Sequence, residues 1–387
     1  MSALYHFQTA DYLVAGDKSL DSVLDMLKNR TENLSSVLIV TQEGLIKLGL
    51  IDSVYAQFER EEIRTTTISS ITPEPTVESI QTLANEYASE KFDYIVAVGG
   101  GSVLDAAKLL SVLHTNEVTV QELLNGEQVK KEGIPTAMVP TTAGTGSEVT
   151  PNAIVTIPEQ ELKVGIVSRF FLPSLVIIDP SLTTGLPKPY TAATGMDAFT
   201  HAFESYISNK ANMFSDVFAL ESIRLISESI VESYENGTSI EAREKMLMGS
   251  MYGGMALTSA GTAAVHALAY PLGGKFNIPH GVANSMLLPH VTSFNLDSMK
   301  ERLPAVAKAM SIYREGDTLD QTADKVIAQI EEWIHLLNIP QDLKEFGVSR
   351  EDIRHLAEAA SKVTRLLNNN PKQLSVEEIE SLYKKLL

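Results

Sequence analysis

Four short runs, "SVLIV" at 36–40, "TTTIS" at 65–69, "YIVAV" at 94–98 and "TAMVP" at 136–140, read as buried strands with helix-like stretches between them. One such stretch, "VESIQTLANEYASEK" at 77–91, separates the second run from the third. Strand and helix in alternation predict a parallel sheet with helices on both faces, because a parallel neighbour is reached only by a crossover and the crossover helix covers the sheet. Near Pro187 the texture changes. Phe214, Val217, Leu220, Ile223, Ile226 and Ile230 recur at spacings of three or four, the period of a helix face, and few strand signals follow. The expected organisation is an α/β domain over 1–185 and an all-helical domain over 186–387, with no linker, repeat or low-complexity tract between them.

Composition narrows the chemistry by exclusion. The 387 residues include no cysteine, which rules out disulfides, thiolate metal sites and a cysteine nucleophile. Acidic residues outnumber basic ones 49 to 31, for a net charge of -18. Such a surface repels nucleic acid phosphates and anionic membranes, so the expected partner is a small molecule. No apolar run approaches the length of a membrane span, and the opening "MSALYHFQTADYLVAGDK" has no basic segment followed by an apolar core. A cytoplasmic location is the corresponding expectation.

Two loops carry the chemistry of the first half. In "YIVAVGGGSVLDAAK" a buried strand runs into Gly99, Gly100 and Gly101, and Ser102 begins a helix. Glycines there let the backbone approach a diphosphate, and the free amides of a helix start favour an anion. The spacing is not G-x-G-x-x-G, and a glycine triplet taken singly is often no more than a tight turn. In "PTTAGTGSEVTPN" the hydroxyls of Thr141, Thr142, Thr145 and Ser147 follow another strand, a pattern that also suits ordinary capping. Two such loops at strand ends of one sheet favour a dinucleotide, because ligands of open α/β sheets bind at the carboxyl ends of the strands.

The second half carries "TGMDAFTHAFESY", which sets Asp197 and His201 four residues apart on one helix face. They suit either a plain hydrogen-bonded pair or two metal ligands. His266 in "AAVHALAY" and His280 in "FNIPHGVAN" are separated by Pro271, Gly273, Gly274 and Pro279, which are expected to interrupt the helix and put the two imidazoles on different elements. An Asp-His-His-His set is all nitrogen and oxygen and suits Fe(II) or Zn(II) with open positions for substrate.

The stretches "GGGSVLDAAK", "PTTAGTGSEVT", "ATGMDAFTHAFESY" and "VHALAYPLGGKFNIPHGVAN" resemble, in order and spacing and over nearly the whole chain, the iron-containing (group III) alcohol dehydrogenases. The resemblance implies a dinucleotide-binding α/β domain, an all-helical metal and substrate domain, and an active site in the cleft between them. It implies Asp197, His201, His266 and His280 as ligands of Fe(II), or of Zn(II), and Gly99, Gly100, Gly101 and Ser102 as the pyrophosphate loop. It adds Thr141, Thr142 and Ser147 as cofactor contacts, Lys163 near the nicotinamide ribose, Asn152 on the substrate side, and a homodimer. Three positions depart from the family. Gln42, in "VTQEGL", stands where an acid often holds the adenosine ribose, which leaves both NAD and NADP open. Tyr270 stands where many members carry a proton-relaying histidine, and a phenol with an ordinary pKa of about 10 donates a hydrogen bond but shuttles protons poorly. Lys275 and Arg365, in stretches that resemble the 4-hydroxybutyrate dehydrogenase branch, suggest a pocket for an anionic substrate end.

The expected activity is reversible hydride transfer between NAD(H) or NADP(H) and a small primary alcohol or aldehyde, anionic-ended or neutral, with the metal as Lewis acid. Lys163 and Tyr270 are the protein groups expected beside the reacting atoms. Two rivals share the fold: a dehydroquinate-synthase-like cyclase, which consumes no NAD in net terms, and a non-catalytic binding protein, which would not retain four ligand residues.

Overall fold

The structure, a computed structural model, describes residues 4–158 and 162–387 and divides into two compact units. The first comprises Thr9–Thr142 and Ser147–Thr184. The second comprises Gly185–Leu387 with Ala143–Gly146 and the N-terminal stretch to Gln8. The short return to the second unit at Ala143–Gly146 has no signal in the strand–helix alternation.

The α/β unit contains β1 (Leu13–Ala15), β2 (Ser36–Val40), β3 (Arg64–Ile68), β4 (Tyr94–Gly99), β5 (Thr136–Pro140), β6 (Asn152–Ile157), β7 (Leu162–Val167) and β8 (Leu175–Ile178). Its helices are α1 (Val23–Lys28), α2 (Glu43–Lys47), α3 (Asp52–Arg60), α4 (Val77–Glu86), α5 (Gly101–Thr115) and α6 (Val120–Leu124). Six strands form one parallel sheet in the order β1-β8-β5-β4-β2-β3, and β6 and β7 form an antiparallel hairpin. The sheet strands read as continuous apolar runs because both faces are covered. Val37, Ile39, Val96, Val98 and Val139 pack on one side with Leu24, Leu27, Val54 and Phe58 of α1 and α3. Leu38 and Ile95 point to the other side, beside Ala84 of α4 and Leu110 of α5. Strand order reverses between β2 and β4, so the segments after these two strands leave the sheet side by side at a switch point.

The four predicted strands are present, the second shifted by one residue. The helix predicted over 77–91 stops at Glu86, where bonds from Ala88 to Asn85 and from Glu90 to Tyr87 tighten the chain into turns. The three-residue edge strand β1, the β6–β7 hairpin and β8 were not singled out in the sequence.

The second unit is helical among its described residues: α7 (Lys188–Ile207), α8 (Met213–Glu235), α9 (Ile240–Ala260), α10 (Ala264–Phe276), α11 (His280–Met299), α12 (Leu303–Ala309), α13 (Leu319–Leu336), α14 (Ile353–Ser361), α15 (Thr364–Leu367) and α16 (Val376–Lys384). α7 is the central helix, packed by α8, α9 and α11 and buried without interruption from Gly195 to Ile207. On α8 the predicted stripe is buried at Ile223, Ile226 and Ile230 and exposed at Phe214 and Val217.

One expectation is corrected. Pro271, Gly273 and Gly274 do not interrupt α10, which runs through all three to Phe276. The break comes at Asn277, in the left-handed conformation with φ 54°, before Pro279 leads into α11. An interior proline costs a helix roughly 3 kcal/mol. Here the buried residues 265–269 and Leu272 outweigh that cost, since packing rather than propensity holds this helix.

Candidate metal centre and dinucleotide loops

Helix periodicity puts Asp197 and His201 on one face of α7, and both are buried. The start of α10 brings His266 to them, so that one ligand atom from each of the three lies within 4.8 Å of the others. The His201 and His266 rings stack at 4.6 Å between centroids. His280, the first residue of α11, places Nε2 3.7 Å from Asp197 Oδ1, as does His266. What seats α11 is Gly281, because a side chain there would overlap the Ala193 carbonyl of α7. The four residues expected from sequence therefore converge, on three helices.

The electrostatics suit a cation. Burial favours the neutral acid of Asp197, but the imidazoles of His201, His280 and His266 and the Asn284 amide outweigh it and hold the carboxyl below its ordinary range. Burial lowers the pKa of His201 toward the neutral imidazole, the form that ligates. The Nδ1 of His201 lies 3.1 Å from the Gly144 carbonyl, which directs Nε2 away from it. The Asn284 amide nitrogen sits 2.7 Å from Asp197 Oδ1 and 3.2 Å from Nε2 of both His266 and His280. Three acceptors thus converge on one donor, while Asn284 Oδ1 is buried with no partner among the described residues. A set of acceptors sharing so little positive charge fits a divalent metal.

Around it, the Tyr270 ring lies 6.0 Å from that of His280. Lys275 is engaged: its ammonium is 2.8 Å from Asp352, whose carboxyl it draws far below the ordinary range with help from Ser349. Arg365 is exposed on α15.

In the α/β unit, Gly99 closes β4 where a side chain would collide with Val103, and Gly100 and Gly101 lead into α5. Gly100 faces Thr142, and the Thr141 amide bonds the Gly99 carbonyl, so the two loops lie together at the carboxyl ends of β4 and β5. Ser147 is tied into the fold: its hydroxyl donates to Asp105 at 2.5 Å and accepts from Lys108 at 2.8 Å. Lys108 also donates to the Asn152 carbonyl at 2.6 Å. Thr145 falls in the segment that belongs to the helical unit. Gln42 precedes α2 and donates to the Ile71 carbonyl at 3.2 Å. The buried Lys163 ammonium pairs with Glu74 at 2.5 Å.

Three residues of this constellation were missed in the sequence. Glu74 holds Lys163 while its amide donates to the Ser102 hydroxyl, and only its left-handed backbone, φ 56°, marks it. Asn284 is four residues after His280 and Glu204 three after His201, one helical turn in each case. That spacing is the signal that could have found both.

The iron-containing alcohol dehydrogenase profile matches residues 12–180, and the profile of the C-terminal part of that family matches 191–387. The chain belongs to the iron-containing alcohol dehydrogenase family. It is 35% identical over 365 residues to long-chain-alcohol dehydrogenase 1 of Geobacillus thermodenitrificans, covering 93% of this chain and 92% of that one. It is 37% identical over 349 residues to the 1,3-propanediol dehydrogenase of Klebsiella pneumoniae, with 90% of each chain covered. The crystal structure of a 1,3-propanediol oxidoreductase superimposes with a TM-score of 0.93 at 34% identity, over 100% of both chains. Family membership makes the chain a metal-dependent alcohol or aldehyde oxidoreductase that uses a nicotinamide dinucleotide. Among the described residues no helix is long and apolar enough to cross a membrane.

Proposed function

We propose that the protein interconverts a short, neutral primary alcohol and its aldehyde, using NAD(H) or NADP(H) and a divalent metal held by Asp197, His201, His266 and His280. The observation that carries this reading is the convergence of those four side chains, three of them within 4.8 Å of one another. When bound, the dinucleotide supplies or accepts the hydride and the metal, Fe(II) or Zn(II), supplies Lewis acidity toward the substrate oxygen.

The protein's own groups do the rest. Asp197 brings charge, and each of the three imidazoles offers a ring-nitrogen lone pair. Tyr270, beside His280, offers a phenolic hydrogen bond to the substrate oxygen. Gly99, Gly100, Gly101 and Ser102 are assigned to the diphosphate at the start of α5, with Thr141, Thr142, Thr145 and Ser147 as flanking contacts and Lys163, steered by Glu74, toward the ribose. Asn152 is assigned to the substrate side, beside the Lys108 network.

A neutral substrate is favoured over one with an anionic end because Lys275 is already paired with Asp352, so a carboxylate or sulfonate would have to displace that acid. The test compares NADH and NADPH oxidation with butanal and with succinic semialdehyde, which matches its carbon chain and adds the acid. Butanal is expected to be reduced as well or better. A strong preference for the semialdehyde would overturn the neutral reading and return Lys275 and Arg365 to the pocket.

A further inference from the structure

The His266 imidazole is held at both nitrogens. Nε2 faces Asp197 and the Asn284 amide, while Nδ1 lies 2.6 Å from Oε2 of Glu204. Glu204 is 1% exposed and accepts two further bonds, from the amides of Ala263 at 2.9 Å and Val265 at 2.6 Å. Those amides belong to the N-cap and first turn of α10, where Ala263, the N-cap residue, offers no capping side chain of its own. One carboxylate on α7 therefore caps α10 and grips the imidazole on that helix's first turn. α7 carries Asp197, His201 and Glu204 at successive turns, two facing the metal position and one behind a third ligand.

We infer that Glu204 is the positioning residue of the metal centre: it fixes His266 as the Nδ1–H tautomer, with the Nε2 lone pair directed at the metal position before any metal arrives. The inference rests on the assignment of His266 as a ligand. A carboxylate with both oxygens accepting can only be a partner for N–H, so the proton sits on Nδ1. The Asn284 amide nitrogen, 3.2 Å from Nε2, fits a lone pair there, although its two hydrogens serve only two of the three acceptors around it. His201 is anchored in the same sense, but on the neutral Gly144 carbonyl, where His266 has a carboxylate. Carboxylates behind ligand imidazoles raise ligand basicity, and losing one weakens metal binding about 10- to 100-fold.

The experiment uses the full-length protein stripped of metal, with Zn(II) as probe. Long-range 1H–15N spectra of histidine-labelled wild type should show His266, identified by its absence in H266Q, with the proton on Nδ1. A proton on Nε2 would overturn the inference, and this readout does not depend on any variant folding. E204Q should show a Zn(II) dissociation constant raised about 10- to 100-fold and an Nε2–H population at His266. Wild-type affinity in E204Q alongside clear loss in H266Q would overturn the role of Glu204 while leaving the ligand assignment standing. If H266Q bound Zn(II) as tightly as wild type, the assignment itself would fail and the inference with it.

Discussion

At the scale of single residues, what was legible depended on whether a side chain announces its chemistry. Asp197, His201, His266 and His280 stood out because polar groups in apolar helices need a reason, and the structure brings the four together. Glu204 and Asn284 escaped notice because glutamate and asparagine on helices are ordinary surface residues, and only burial and partners reveal them. Lys275 shows the opposite limit: sequence supplied the charge but could not supply Asp352, 77 residues away, that neutralises it. Gln42 offers a prediction at this scale. Its amide is turned to the Ile71 carbonyl and leaves no carboxylate to repel a 2′-phosphate. Gln42→Asp should shift the ratio of kcat/KM values toward NADH by about tenfold, the size of one charged hydrogen bond of about 1.5 kcal/mol. An unchanged ratio would remove position 42 from the ribose.

At the scale of elements, strand runs and helical stripes were readable because burial writes its period into the chain. The α10 boundary was not, since Pro271 argues locally for a break that packing overrules. The β6–β7 hairpin was missed because its two strands lack a two-residue turn signal and lie amid polar residues. Two predictions belong here. Gly281→Ala should push the start of α11 off the Ala193 carbonyl, lowering stability by about 1–3 kcal/mol in denaturant titrations and weakening metal affinity through His280. Wild-type values for both would show that α11 is not seated by this contact. The second concerns Glu148, in the turn that Lys108 and Asp105 anchor to α5. Burial pushes its carboxyl up to about 7 against the pull of Lys108, from 4.5 in the unfolded chain. A raised folded pKa means a contribution that is whole below 4.5 and lost as pH rises through about 7. Glu148→Gln should therefore gain stability relative to wild type, by an amount of order 3 kcal/mol, between about pH 5 and about pH 8. A gain in the opposite direction would mean the carboxylate is stabilised in the fold.

At the scale of the whole molecule, a net charge of -18 disfavours nucleic acid and anionic membranes as partners, and the absence of cysteine removes thiolate from any metal site. Both constraints hold regardless of fold, which is why composition could state them. The architecture was legible too: a parallel sheet carries the glycine loop, and a helical unit carries Asp197, His201 and His266, which lie together. The excursion of Ala143–Gly146 into the helical unit was not, because a four-residue segment has no period to read. The claim on which all else depends is that turnover needs a metal on α7, α10 and α11. The measurement is anaerobic reduction of butanal by NADH after chelation and again after adding one equivalent of Fe(II), in wild type and in His266→Ala. The stripped wild type should be inactive and recover with metal, while His266→Ala should stay inactive and still bind NADH. Full activity in the stripped protein, or recovery of the alanine variant, would contradict the account.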